Sequence, residues 1–238
     1  MEDLNIEYEK LHNFARLFNI EYDVYKGAVD SYNKDLKNAV LEYIGFEDTE
    51  GEIQNFETFF YYLAVEETNA YFHNYKSKNY TKGLKRLVND FLPLLNNIDF
   101  EDFEKKENEY EDVLINILIS EINYNLRKEK KSIVGFTIGL DNIFYLLIDN
   151  SKLKEMKNTD SKLLHIIDLE YLEKQFGIIY KLKDTIPELS NYLQKGDYIM
   201  EPDETKGSYI TLFDKAVKKN LAINYLTEDQ KKLLKVVL

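Results

Sequence analysis

The sequence predicts a mainly α fold: a multi-helix bundle with a long, heptad-patterned N-terminal helix and a small β-hairpin near residues 197–213. Three observations point there. Only 9 Gly and 3 Pro occur in 238 residues, which favours long helices over a loop-rich β-sandwich. From Leu4, apolar residues recur at alternating spacings of four and three through Tyr8, Leu11, Ala15, Phe18, Tyr22, Tyr25, Val29, Tyr32, Leu36, Ala39 and Tyr43. Towards the other end, two short β-prone runs, YIM and SYITLF, flank the turn-rich EPDETKG.

The heptads also explain why NIEY stands at 5–8 and again at 19–22. Fourteen residues return a helix to the same face after about four turns, so the repeat is periodicity and not a motif. A single helix over 3–44 would be about 60 Å long at 1.5 Å per residue, so it either projects or breaks. Gly27 is its one internal weak point, at a cost of about 1 kcal/mol relative to Ala. Leu17, Ile20 and Val24 add a second apolar stripe, which predicts cover on two sides. The seam itself is rich in Tyr, whose hydroxyls need partners or water, and is expected to be half buried.

Beyond the acidic connector GFEDTEG, a second helix is expected over 52–75, with Ile53, Phe56, Phe60 and Leu63 on one stripe. A loop over 74–81 follows, with Thr81 as a cap. Leu84, Leu87, Val88 and Phe91 mark a third helix, which Pro93 should end or kink. Asp99 can cap a fourth, over 100–130, which begins acidic and ends basic in the order that suits the macrodipole. The apolar run SIVGFTIGLDNIFYLLID fits either a buried helix or a hairpin turning near Leu140–Asn142. Another helix is expected from Asp160 or Ser161 to about Lys183, bent near Gly177, and a short one after Pro187. In LTEDQKKLLKVVL, Thr227 and Gln230 have capping-box spacing. A boundary near 131 would divide a helical region, 1–130, from a mainly helical region with the hairpin, 131–238; one continuous domain fits equally well.

Charge is uneven along the chain. The formal net charge is −12; residues 1–75 carry 16 acids against 5 bases, 76–98 carry 5 bases and 1 acid, and 99–112 carry 8 acids and 2 bases. An acidic first third repels phosphate backbones and attracts a basic protein surface, although acids on exposed helix faces also serve solubility alone. Cysteine is absent, which excludes disulfides, thiolate metal sites and Cys nucleophiles. The polar, acidic start MEDLNIEYEK shows no secretory signal and no apolar run reaches the ~18 residues of a span, so a cytoplasmic location without membrane contact is expected.

No nucleotide-binding, metalloprotease, nucleophile-elbow or EF-hand motif occurs, and no cofactor or metal is expected. Two polar groupings stand out. On the helix expected over 52–75, Glu66, Asn69 and His73 lie at i, i+3 and i+7 and would share one face, with Glu67 beside them. A polar patch prolonging an apolar stripe suits a buried metal or proton site, but the reading favoured is a helix that leaves the core with its patch solvated. His165 and Asp168, at i and i+3, would pair an imidazole with an orienting carboxylate, or form an ordinary surface pair worth a few tenths of a kcal/mol.

The stretch 71–86 mixes aromatics with Lys76, Lys78, Lys82, Lys85 and Arg86 in the manner of a single-strand nucleic-acid grip. Its acidic flanks favour internal ion pairing instead.

The reading favoured is therefore a non-catalytic, acidic interaction protein that binds a basic or nucleic-acid-processing partner. In composition it is like the immunity proteins and phage-encoded inhibitors that neutralise such enzymes. Tyr8, Tyr22, Tyr25 and Tyr32, with Glu21, Asp23 and Asp30, are the candidate contact residues. Pairing of two copies through the heptad seam belongs to the same class. The alternatives are an enzyme with a buried Glu/His site, metal-dependent or not, and a nucleic-acid-binding module using 71–86.

Overall fold

A computed structural model describes residues 2–45, 51, 53–74, 79–107, 113–139, 142–159, 164–191, 193–202, 207–211 and 222–237. In chain order the first elements are helices α1 (Glu2–Leu17), α2 (Tyr22–Lys34), α3 (Leu36–Tyr43) and α4 (Phe56–Glu66), then strand β1 (Tyr71–Asn74). Helices α5 (Tyr80–Leu87), α6 (Phe100–Lys106) and α7 (Val113–Leu126) follow, with 3-10 turns at Asn89–Leu95 and Arg127–Glu129. Next come β2 (Lys131–Thr137), β3 (Asn142–Asp149), α8 (Asn150–Asn158), β4 (His165–Ile167), α9 (Leu169–Phe176) and β5 (Ile178–Leu182). A 3-10 turn at Pro187–Leu189 precedes β6 (Tyr198–Glu201), β7 (Tyr209–Thr211), β8 (Ala222–Ile223), α10 (Glu228–Lys231) and β9 (Leu234–Val236).

The protein is thus mixed α/β, with two antiparallel sheets, of four and five strands, in place of the expected mainly α bundle with one small hairpin. No helix among the described residues is long and apolar enough to cross a membrane. The chain divides into two compact units, one of residues 1–74 and 130–166, the other of 75–129 and 167–238.

In the first unit the predicted N-terminal helix breaks twice, and neither break is at Gly27. Asn19 adopts a left-handed φ of 64°, and the Ile20 N–H reaches back to the Ala15 carbonyl at 2.9 Å, a helix-ending turn that asparagine tolerates. Asp35 is a single extended residue between α2 and α3; its carboxylate caps α3 by accepting from the Lys37 N–H at 3.0 Å. Gly27 instead permits close approach, since a Cβ there would lie 2.5 Å from the Tyr43 hydroxyl.

The stripe survives the breaks because the chain folds back on itself. Leu11, Ala15, Phe18, Tyr25 and Ala39 are all buried in one core with Phe56, Phe59 and Phe60 of α4. Phe18 meets Phe136 and Phe144 edge-on at 4.9 and 5.7 Å, bringing α1 onto the sheet, whose strand order is β1-β3-β2-β4. Of the seam residues, Leu11, Phe18 and Tyr25 are thus spent inside this core, whereas Tyr22 is 59% exposed.

Two other predicted helices give way to strands. The second stops at Glu66, and Tyr71–Asn74 joins the sheet, Tyr71 opposite Tyr145 and His73 opposite Ile143. The helix expected to about Lys183 is three elements, β4, α9 and β5; Asp168 caps α9 and Gly177, at φ 71°, ends it. The ambiguous apolar run is a hairpin, with Val134 opposite Leu146 and Phe136 opposite Phe144.

In the second unit α5 ends at Leu87, before Pro93, which sits in a 3-10 turn; its N-cap is Asn79, and Thr81 lies inside the helix. Asp99 caps α6 as expected, accepting from the Asp102 N–H at 3.0 Å. Residues 108–112, within the helix predicted over 100–130, lie outside the described residues. The hairpin near 197–213 is present, Ile199 opposite Thr211, and it belongs to a sheet of order β8-β7-β6-β5-β9. The Thr227–Gln230 capping box closes both of its hydrogen bonds.

Strand alternation gives this sheet two different faces. Leu182 and Ile199 point into a small core with Ile186, Leu193, Tyr209 and Leu226. Lys181, Tyr198 and Lys235 belong to the opposite face. They stand side by side on three adjacent strands, Lys181 opposite Tyr198 on one side and opposite Lys235 on the other.

Candidate functional site

Helix α7, VLINILISEINYNL, is buried on most of its sides, with Leu114, Ile117, Leu118, Ile122 and Leu126 fully buried. Its single ionisable carboxylate is Glu121, whose side chain is only 1% exposed. Such a charge must be compensated, and the lysine-bearing face of the sheet does so. Glu121 Oε1 accepts from Lys181 Nζ at 2.9 Å and from the Tyr198 hydroxyl at 3.0 Å. Lys235 Nζ stands 3.8 Å from Oε2.

Aromatic faces complete the surroundings. Lys181 Nζ lies 5.2 Å from the Tyr198 ring centre and 6.0 Å from that of Phe103. One turn along α7 from Glu121, Tyr124 is 41% exposed, and two cations meet its ring: the Arg127 guanidinium at 3.9 Å and Lys235 Nζ at 5.5 Å. From the buried to the exposed end, the cluster runs carboxylate, two lysines, aromatic, arginine.

Comparison with protein-family models, with curated proteins and with solved structures found no match to this chain. Among the described residues no group of three or more His, Cys, Asp or Glu side chains could hold a metal ion.

The two polar groupings singled out in the sequence are not assembled. Glu66, at the end of α4, and Asn69, in the following turn, are exposed, whereas His73 is buried on β1 with its Nδ1 3.4 Å from the Tyr71 hydroxyl. The shared face required one helix through 73, and the chain leaves the helix at Glu66. His165 is exposed on β4, and the Asp168 carboxylate accepts from the Tyr171 N–H at 3.0 Å, so that it serves as a helix cap. Of the basic stretch, residues 75–78, Lys76 and Lys78 included, lie outside the described residues.

The N-terminal contact candidates separate into two kinds. Tyr25 is buried, its hydroxyl donating to the Tyr8 carbonyl; burial, with the neighbouring Tyr8, raises its pKa far above the ordinary 10.0. Tyr8 donates to Asn33 Oδ1 at 3.0 Å, and Tyr32 packs against Phe56 at 5.1 Å, so both are half spent on internal contacts. Glu21, Asp23 and Asp30 are exposed, and Tyr22 is 59% exposed between the first two. The Tyr22 ring meets His12 edge-on at 5.3 Å, and His12 stacks on Tyr25 at 5.3 Å, which holds the tyrosine outward on a fixed base.

The Glu121 centre is what reading the sequence missed. One signal was there: a lone acid in a fourteen-residue apolar helix.

Proposed function

We propose that this chain acts by binding another protein, using the corner between α1 and α2 to engage a basic surface. The observation that carries this reading is Tyr22, a large aromatic kept outside the core, braced on His12 and framed by exposed Glu21 and Asp23. An aromatic with few rotatable bonds, ringed by charge, is the usual make-up of a contact hot spot. Glu21, Asp23 and Asp30 have no ion-pair partner among the described residues, so their charge is available to a partner. The excess of acids in the first third of the chain adds long-range attraction for a basic protein, such as one that handles nucleic acid.

The test is co-purification of the tagged chain from its native host, run in parallel with Tyr22→Ala and with Glu21→Lys/Asp23→Lys. A stoichiometric basic partner retained by the wild type and lost from both variants is the expected result. An eluate holding this chain alone, or a partner that both variants keep in full, overturns the proposal.

A further inference from the structure

Around Tyr124 and Glu121 in the second unit, three cations have one carboxylate within ion-pair distance among the described residues. Lys181 and Lys235 flank a single acid, Glu121, which already bonds Lys181 and Tyr198, and Arg127 stands with Lys235 on the Tyr124 ring. Arg127 has no carboxylate within ion-pair distance among the described residues, and its contact is the Tyr124 ring. Lys128 and Glu129, on the same 3-10 turn, cancel one another. The carbonyl end of α7 offsets roughly half a charge. An excess of about one and a half positive charges remains, in a protein whose net charge is −12.

Two geometric facts give this excess a direction. Tyr124 gathers Arg127 at 3.9 Å and Lys235 at 5.5 Å around one ring, so both cations are positioned before any ligand arrives. Both are also reachable: Arg127 is exposed, and the Lys235 side chain keeps 34% of its surface accessible while lying 3.8 Å from Glu121, too far for a full hydrogen bond.

We propose that Arg127 and Lys235, held by Tyr124, form a binding site for a phosphate monoester dianion. Such a group carries about −1.5 to −2 charges at neutral pH and presents three acceptor oxygens, which matches the excess and suits the guanidinium fork together with the lysine point charge. Glu121 fixes Lys181 beneath the site and leaves Lys235 to turn outward. This site is independent of the acidic corner at Tyr22.

The probe is inorganic phosphate, added at low ionic strength to the full chain labelled with nitrogen-15. A nucleoside monophosphate, run in parallel, tells free phosphate from an esterified carrier. Saturable shifts of the Arg127 and Lys235 amides are expected, with a dissociation constant on the order of millimolar for the bare ion. Arg127→Gln and Lys235→Gln should each weaken binding about tenfold, while Lys174→Gln, in a surface pair with Glu170, should not change it. Affinity for phosphate should also fall several-fold between about pH 8 and 5.5 as the dianion takes up a proton, with no such fall for sulfate. Circular dichroism checks that each variant is folded. No saturable shift at these residues, unchanged affinity in both variants, or equal pH dependence of phosphate and sulfate would overturn the proposal.

Discussion

The carboxylate of Glu121 and the ammonium of Lys181 meet at 2.9 Å across 60 residues of chain, one from an apolar helix and the other from the middle strand of three. Removing Lys181 leaves the Glu121 carboxylate, 1% exposed, without its nearest cation, which costs far more than the pair contributes while intact. Lys181→Met should therefore lose about 3–5 kcal/mol in urea denaturation, and adding Glu121→Leu should recover most of it. A loss in Lys181→Met below about 1 kcal/mol would mean that the carboxylate is not held as described.

Gly27 and Tyr43 give a second coupled pair. In an open helix Gly27→Ala would gain about 1 kcal/mol, but here the new methyl meets the Tyr43 hydroxyl. The gain should be absent in the wild type and appear in the Tyr43→Phe background. Equal effects of Gly27→Ala in the two backgrounds, by thermal or chemical denaturation, would refute the contact.

Alkaline stability should fall early. Burial raises the Tyr25, Tyr61 and Tyr180 phenols well above the ordinary 10.0, Tyr25 being pushed further by Tyr8, Tyr61 by Tyr62, and Tyr180 by its hydrogen bond to Glu201. A group raised on folding contributes stability that is intact below its unfolded pKa and is lost as pH climbs towards the folded value. Unfolding free energy should drop progressively above about pH 10, and absorbance titration should show a set of tyrosines that ionise only on unfolding.

On the acid side the sign reverses. The hydrogen bond from Lys131 to Asp149, at 2.8 Å, holds that carboxyl below its ordinary 3.8. Its contribution is present above the unfolded pKa and disappears as pH falls through the lower folded one. Because half of the Asp149 side chain is exposed, the effect is a few tenths of a kcal/mol. Lys131→Ala should raise the Asp149 pKa towards its ordinary value in an NMR titration; an unchanged pKa would refute the pair.

What could be read from the sequence was whatever is decided within a few residues. The caps at Asp99 and at Thr227 with Gln230 are contacts over three residues, and their spacing alone announced them. The N-terminal heptads named part of the inward side, since Leu11, Phe18 and Tyr25 are buried while Tyr22 of the same series is 59% exposed. They could not reveal the breaks, because a chain that reverses at Asn19 and Asp35 can bring the same stripe back to one core. Short elements failed for the opposite reason. A strand of three or four residues, such as β4 or β1, offers too few periods to distinguish from a helix, and pairing decided it, for β1 with β3 some seventy residues away. The Glu121 centre failed likewise: the lone acid was visible, but Lys181 and Tyr198 come from 60 and 77 residues further on.

The two units are interleaved along the chain, which passes from one to the other after residues 74, 129 and 166. During synthesis the N-terminal helices must therefore wait. Strand β1 finds β3 only when some seventy more residues have left the ribosome, and most of the stretch in between, residues 75–129, belongs to the other unit. Neither unit can be released by a single cut, and a nascent chain halted near residue 130 would expose the apolar faces of both.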